Sequence, residues 1–194
     1  MIRTLACFLA LAPLFACNST RSGVRGFNAT RTLPAGGFSM NRAPSDVAVA
    51  PIVDRTTARN VPAAGLREAF CAGLVERLYT PLDVAYVDAS WSESGFLGEV
   101  PPDALLVVDV LRWDTSRLYS TGTLVAVAEL RLFEGGVADG EALWAVQVQR
   151  ELELGEDGTL PPGARKTIQK KALQVFVGEA LEELPKRDPV AAHS

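Results

Sequence analysis

Between residues 103 and 154 three apolar runs follow one another, parted only by short breaks that contain glycine. The first, residues 103–116, opens Asp103-Ala104-Leu105-Leu106 and ends Arg112-Trp113-Asp114-Thr115-Ser116. The second covers residues 124–133. The third starts near Trp144 and continues through Val146, Val148, Leu152 and Leu154. Runs of this length and composition, joined by residues that tolerate positive φ such as Gly135, Gly136 and Gly140, predict an antiparallel meander.

Alternation along the runs assigns faces, because strand side chains point to opposite sides in turn. In the first run Leu105, Val107, Asp109, Leu111 and Trp113 fall on one face, and Leu106, Val108, Val110, Arg112 and Asp114 on the other. In the second, Leu124, Ala126, Ala128, Leu130 and Leu132 alternate with Val125, Val127, Glu129, Arg131 and Phe133. In the third, Gln147, Gln149, Glu151 and Glu153 mark a wet face, and Arg150 is the one polar residue on the apolar side. Trp113 and Trp144 read as aromatic core anchors.

The chain ahead of the meander alternates elements. Residues 46–53 form a short run apolar on both faces, as in a strand buried on both sides, with Pro51 marking its exit. A helix is expected over residues 62–79, with Pro62 in its first turn and Leu66, Phe70, Leu74 and Leu78 on one stripe. Pro81 stops it, and residues 82–87 read as a second strand. Residues 88–102 form a loop in which Trp91, Phe96 and Leu97 either cap the core, the commoner outcome, or form an exposed patch. After the meander a last helix covers residues 164–184, with Ile168, Ala172, Val175, Phe176, Ala180 and Leu184 buried. Its start is basic and its end acidic, against the helix dipole, so packing must hold it. The expected fold is a single α+β domain at residues 46–185, in the order β-α-β-loop-β-β-β-α: a mixed five-stranded sheet with two helices on one face and a C-terminal antiparallel meander. Residues 186–194 form a loose, disordered tail.

The N-terminus is an address. Arg3 is followed by an apolar stretch, residues 5–16, too short to cross a bilayer, which takes about 20 residues; it reads as a signal peptide over residues 1–16. Its end, Leu14-Phe15-Ala16-Cys17, resembles a bacterial lipobox, in which cleavage between Ala16 and Cys17 leaves Cys17 acylated. Asn18, in place of Asp, favours the outer membrane. The alternative is an ordinary cleaved secretory signal with a soluble product. Residues 17–45, rich in Ser, Thr, Asn, Arg, Gly and Pro, form a lipidated tether. Of the three cysteines, Cys7 lies in the signal and Cys17 carries lipid, so Cys71 remains alone and no internal disulfide is expected.

Composition excludes several functions. The net charge is −4, and loss of residues 1–16 with Arg3 makes it −5 (−4 − 1), so nucleic acid is not an expected partner. The one histidine, His193, lies in the tail, which leaves histidine-dependent catalysis and metal sites without a positioned base or ligand. No phosphate-binding glycine motif is present, and no cofactor or metal is expected. Acid/base work by paired carboxylates needs no histidine. Asp109, inside an apolar strand face, is the one candidate, and its ordinary reading is a hydrogen-bonded acid.

Asp103-Ala104-Leu105-Leu106, Arg112-Trp113-Asp114-Thr115-Ser116 and Gly140-Glu141-Ala142-Leu143-Trp144 together resemble a family of uncharacterised bacterial lipoproteins. The run from Val47 to Thr56 is similar to the "V-x-V-x-P-x-x-N-x-T" opening shared by CsgG, the TolB N-terminal domain and the LpoB-type activators of penicillin-binding proteins. Asp54 stands where those proteins carry Asn, and Arg55 where they carry a small or acidic residue. The resemblance covers residues 46–150. It implies a lipid-anchored, periplasm-facing, non-enzymatic domain that serves as an accessory or assembly module with an envelope protein partner. A second resemblance, in residues 108–113 and the run that follows, is to auxiliary lipoproteins of ABC-type lipid-transport systems. A hydrolase built on carboxylates is the remote third reading. The partner surface is expected at the polar strand ends: Arg112, Asp114 and Ser116 on one strand, Gln147, Gln149 and Glu151 on another.

Overall fold

The computed structural model describes residues 28–36, 44–92, 95–154 and 164–187. Its frame is the expected meander. Strands β7 (Ala104–Asp114), β8 (Thr123–Glu134) and β9 (Trp144–Glu153) pair antiparallel in sequence order. A short helix, α3 (Leu118–Thr121), fills the first connection and ends at Gly122, whose φ of 71° suits a residue without Cβ. On the other side of β7 lies β2 (Asp46–Val49), parallel to it, followed after a break at Pro51 by β3 (Val53–Asp54), which returns to the same neighbour. Beyond β2 stands β4 (Thr80–Pro81), again parallel.

Two long helices cover one face. In α1 (Ala63–Glu76) the residues Leu66, Phe70 and Leu74 are fully buried, as the stripe predicted, but Leu78, expected on the same stripe, lies beyond the helix end with φ 68° and is 50% exposed. In α4 (Arg165–Ala180) Ile168, Ala172, Phe176 and Ala180 are buried with them. The helices run parallel and close: a Cβ on Gly65 would meet Leu173, and one on Gly73 would lie 2.9 Å from Leu181. On the sheet side Leu106, Val108, Val110, Ala126, Ala128, Leu130, Val146 and Val148 complete this core. The molecule is a single α+β domain with a mixed sheet, two long helices on one side and a C-terminal meander.

Further details differ from expectation, and Leu97, one of the residues expected to cap the core, is exposed. Residues 82–87 are not a strand: β4 ends at Pro81, and α2 (Val84–Ala89) follows, with the Asp83 carboxylate accepting from the Tyr86 N–H at 3.0 Å as an N-cap. A short apolar run has no periodicity that separates strand from helix. The helix packs through Val87 on the opposite side of the sheet, against Ala48, Ala50 and Leu105. The loop beyond it carries a small hairpin, β5 (Trp91–Ser92) with β6 (Gly95–Phe96).

Part of the expected tether is folded. β1 (Ala29–Thr32) pairs antiparallel with β9 from Ala29↔Gln149 to Thr32↔Val146, so the main sheet has seven strands rather than five. Arg150 explains how so short a strand is held. Its guanidinium donates to the Ala29 carbonyl at 2.8 Å, to Thr30 Oγ1 at 2.8 Å and to Glu179 of α4 at 3.0 Å.

The faces of β7 are not continuous. A bulge at Leu111 shifts the register between Val110 and Arg112. Trp113 therefore joins the side of Val108 and Val110 and packs edge-on to Phe176 at 5.6 Å, while Leu111 is 38% exposed. Finally, the start of the expected tail is held. The Arg187 N–H donates to the Arg77 carbonyl at 3.0 Å and the Tyr79 hydroxyl to the Pro185 carbonyl at 2.9 Å. Burial pushes that tyrosine up to about 12.

Candidate functional site, the open half of the sheet

The sheet face away from α1 and α4 has two halves. Towards the start of β7 it is covered, by α2 and by Leu33, Ala35 and Ala142 against Phe133 and Ala145. Towards the end of β7 it is open and polar. Cα partners across neighbouring strands share a face, and the register builds three rows here. One is Asp109, Glu129, Gln147 and Arg31; the next is Arg112, Val127, Gln149 and Ala29; the last is Asp114, Val125 and Glu151. Five of the six residues expected as partner surface, Arg112, Asp114, Gln147, Gln149 and Glu151, are thus brought onto one face. Ser116 lies just beyond it, its backbone N–H bonded to Asp114 Oδ1 at 3.1 Å.

Charge on this face is paired in place. Asp109, 5% exposed, sits between two arginines: Arg55 Nε donates to Oδ1 at 2.8 Å and Arg131 to Oδ2 at 2.6 Å. Arg112 bonds Asp114 at 3.0 Å, and Arg117 bonds Glu151 at 2.9 Å. Glu129 accepts a longer bond of 3.4 Å from Gln147. The hydrogen bonds from Ser116, with Arg112 beside it, hold Asp114 down at about 2. Arg55, Arg131, Glu129 and Arg31 were not expected on the partner surface. Glu129 and Arg131 did carry a signal, since alternation puts both on the wet side of their run. Arg55 stood out only as a departure from the strand opening it resembles, and nothing in the sequence paired it with Asp109, 54 positions away.

At the end of this face, Thr56, Thr57, Ala58, Asn60 and residues 111–116 line a shallow cleft of about 430 Å³. Its near wall is shaped by Asp54, which accepts from Thr56 N at 2.8 Å, Thr56 Oγ1 at 2.6 Å and Val61 N at 3.2 Å. The carboxylate closes an Asx-type turn and commits both oxygens to it, Oδ1 to Thr56 and Oδ2 to the Val61 N–H, a pair of acceptors that an amide side chain does not supply. The Thr56 hydroxyl is the main cause that lowers the Asp54 pKa.

The other sequence-marked residues stand apart. Cys17 and Ala16 lie outside the described residues, as does His193. Cys71 is half-buried on α1, where desolvation raises its thiol pKa. Among the described residues no group of three or more His, Cys, Asp or Glu is placed to hold a metal ion. No described helix is long and apolar enough to cross a membrane. What the open face offers chemically is an array of fixed donors and acceptors with both charge signs interleaved.

The chain matches no family model and no curated protein. Solved structures do resemble it. The PelC dodecamer from Paraburkholderia phytofirmans is similar at a TM-score of 0.50 and 14% identity, over 84% of this chain and 100% of that one. The lipoprotein GNA1162 from Neisseria meningitidis is similar at 0.43 and 18% identity, over 69% of this chain and 97% of that one. A DUF4136 family protein from Bacteroides thetaiotaomicron gives 0.36 and 11%, over 78% and 97%. What the chain has in common with PelC at this level is its fold.

Proposed function

We propose that this chain is a lipid-anchored, non-enzymatic binding module of the bacterial cell envelope. It is held through acylated Cys17 on the periplasmic side of the outer membrane and uses the open half of its sheet to engage an envelope protein. The observation that carries the reading is the gathering of Arg112, Asp114, Gln147, Gln149 and Glu151 on one uncovered polar face. An interleaved set of paired charges fixes orientation and rejects wrong partners more than it supplies raw affinity. The lipobox-like Leu14-Phe15-Ala16-Cys17 supports the anchor. The resemblance to CsgG, TolB and LpoB in residues 47–56 supports the envelope setting. Asp109, buried and with each carboxylate oxygen hydrogen-bonded to an arginine, is tied into an ion-pair network between strands rather than presented to a ligand, which supports the non-enzymatic part.

PelC, similar at a TM-score of 0.50, is a dodecamer, so a second copy of this chain is the first partner to test. The mass of the N-terminal peptide from membrane fractions tests the anchor: the expected species begins at acylated Cys17, and Cys17→Ser blocks it. A processed wild-type chain without lipid would sink the anchor. Sedimentation of Gln147→Lys/Gln149→Lys tests the face. The expected result is a lower assembly mass at unchanged Tm.

A second reading, an auxiliary subunit of an ABC-type lipid-transport system, draws on an open cleft of about 580 Å³ by α2, where Tyr86, Trp91, Leu97 and Val100 supply apolar surface. Quenching of Trp91 fluorescence by brominated lipid checks it, and no quenching counts against it.

A further inference from the structure

We infer that the end of the domain at which β1 begins is itself a membrane contact, a basic surface that takes anionic lipid headgroups. The inference rests on the Cys17 anchor proposed above and says which way the anchored domain faces.

The first observation is where the tether ends. Asn28 is tied to the last turn of β9, its Oδ1 accepting from the Glu151 N–H at 2.9 Å. Ten residues, 18–27, then separate Cys17 from the folded domain. Ten residues reach at most about 35 Å when fully extended. The end of the sheet at Asn28 is therefore held near the lipid.

The second observation is charge at that same end. β9 finishes at Leu154, whose carbonyl accepts from Lys171 Nζ at 3.1 Å, so the first half of α4 lies there. The parallel neighbour α1 starts there too, just after Arg59. Arg59, Arg165, Lys166 and Lys170 make no ion pair among the described residues. Arg165 stacks over the half-exposed ring of Tyr119 at 5.3 Å, an aromatic suited to a headgroup boundary. Of the acids at this end, Asp54, Asp114 and Glu151 are engaged by Thr56, Arg112 and Arg117, while Glu153 at the end of β9 and Glu68 beside Lys166 and Lys170 are exposed without an ion pair among the described residues, fewer than the unpaired cations around them. The opposite end is acidic, with Glu134, Asp139 and Glu141 exposed on the β8–β9 turn and Glu182 and Glu183 after α4.

The third observation is that α4 carries this polarity against its own dipole. Cations near a helix start and anions near its end are unfavourable for the helix, so stability does not account for the pattern. An anionic surface facing the basic end does. Screening confines such an attraction to about 8 Å at physiological salt, a distance that only side chains at the tethered end can reach.

The test uses the acylated full chain in phosphatidylcholine vesicles with and without about one-third phosphatidylglycerol, labelled with an amine-acetylating reagent and read by mass spectrometry. In anionic vesicles Lys166 and Lys170 should react several-fold more slowly than in neutral ones, and high salt should remove the difference. Lys186, at the acidic end, should react equally in both. Charge reversal at Lys166→Glu and Lys170→Glu should lower the binding of unacylated chain to anionic vesicles at least ten-fold, since each basic residue near such a surface adds about five-fold. Equal reactivity of Lys166 and Lys170 in both vesicles, with acylation verified by mass, overturns the inference. Absence of the acyl chain overturns the anchor instead, and flotation of that unacylated chain with the two vesicle types then decides the basic surface alone.

Discussion

The Nε of Arg67, on α1, donates a 2.8 Å hydrogen bond to the backbone carbonyl of Val49 at the end of β2. β4 is only two residues long and its neighbour Leu82 serves the Val47 carbonyl at 2.9 Å, so the next acceptor on that edge would be left bare. The arginine takes the place of the missing strand and pairs with Asp88 of α2. An unpaired buried acceptor costs about 1–3 kcal/mol. Arg67→Met, which keeps the volume of the stem, should therefore lower unfolding free energy by about 2 kcal/mol in urea titration. Loss below about 0.5 kcal/mol would mean that water reaches Val49 as well as the guanidinium does.

Asp109 offers a second case of a group whose partners matter more than itself. Asp109→Asn keeps the shape but leaves Arg55 and Arg131 facing each other without the charge between them. Truncating one partner of a buried charge cluster destabilises by about 3–5 kcal/mol. Both arginines have solvent access here, so a loss of about 1–2 kcal/mol is expected. The double change Asp109→Leu/Arg131→Leu should recover much of it, read in the same denaturant series.

Acid stability should carry a signature of Asp114. Its folded pKa of about 2 lies below its ordinary 3.8. A depressed carboxylate stabilises the fold above its unfolded pKa and loses that contribution as pH falls through the folded value. The window is therefore pH 4 down to 2. The group faces solvent, so the effect stays under about 1 kcal/mol. Asp114→Asn should lower Tm slightly above pH 5, where the contribution is present, and converge with the wild type as pH falls from 4 to 2, which flattens the fall of Tm in that window.

The bulge in β7 makes two neighbours unequal. Trp113→Ala should cost about 3–5 kcal/mol, the range for a large buried aromatic. Leu111→Ala, at an exposed position, should stay within about 0.5 kcal/mol. Uninterrupted alternation puts the two residues on the same face and predicts similar costs; equal losses would remove the bulge.

Two glycines in the helices test their packing. Gly178 in α4 has open space where a Cβ would go, and Gly73 in α1 has Leu181 at 2.9 Å and Val177 at 3.0 Å. Gly178→Ala should raise stability by about 0.5–1 kcal/mol through helix propensity. Gly73→Ala should gain less than that or lose, because the same gain is set against contact with α4.

What was legible in the sequence is what local pattern controls. The meander, the wet side of β9 and the buried stripes of α1 and α4 follow from periods of two and 3.6. The misreadings share one cause. Whether residues 82–87 pair or coil depends on Arg67 occupying the β2 edge. Whether residues 29–32 join the sheet depends on Arg150, 118 or more positions away. The bulge at Leu111 leaves every residue type in its run unchanged. The polar face was found in five of its members because alternation marks them. Arg55 becomes part of it only once β3 is brought beside β7.

β1 also decides how the domain bears load. A pull on the N-terminal chain enters at Asn28 along the strand axis, so the pairs from Ala29↔Gln149 to Thr32↔Val146 are strained together in shear, with Arg150 clamping the first two residues. A sideways pull would open the same pairs one at a time. The short strand is thus a mechanical fuse. It would give way before the meander does, lengthening the leash while the core stays folded.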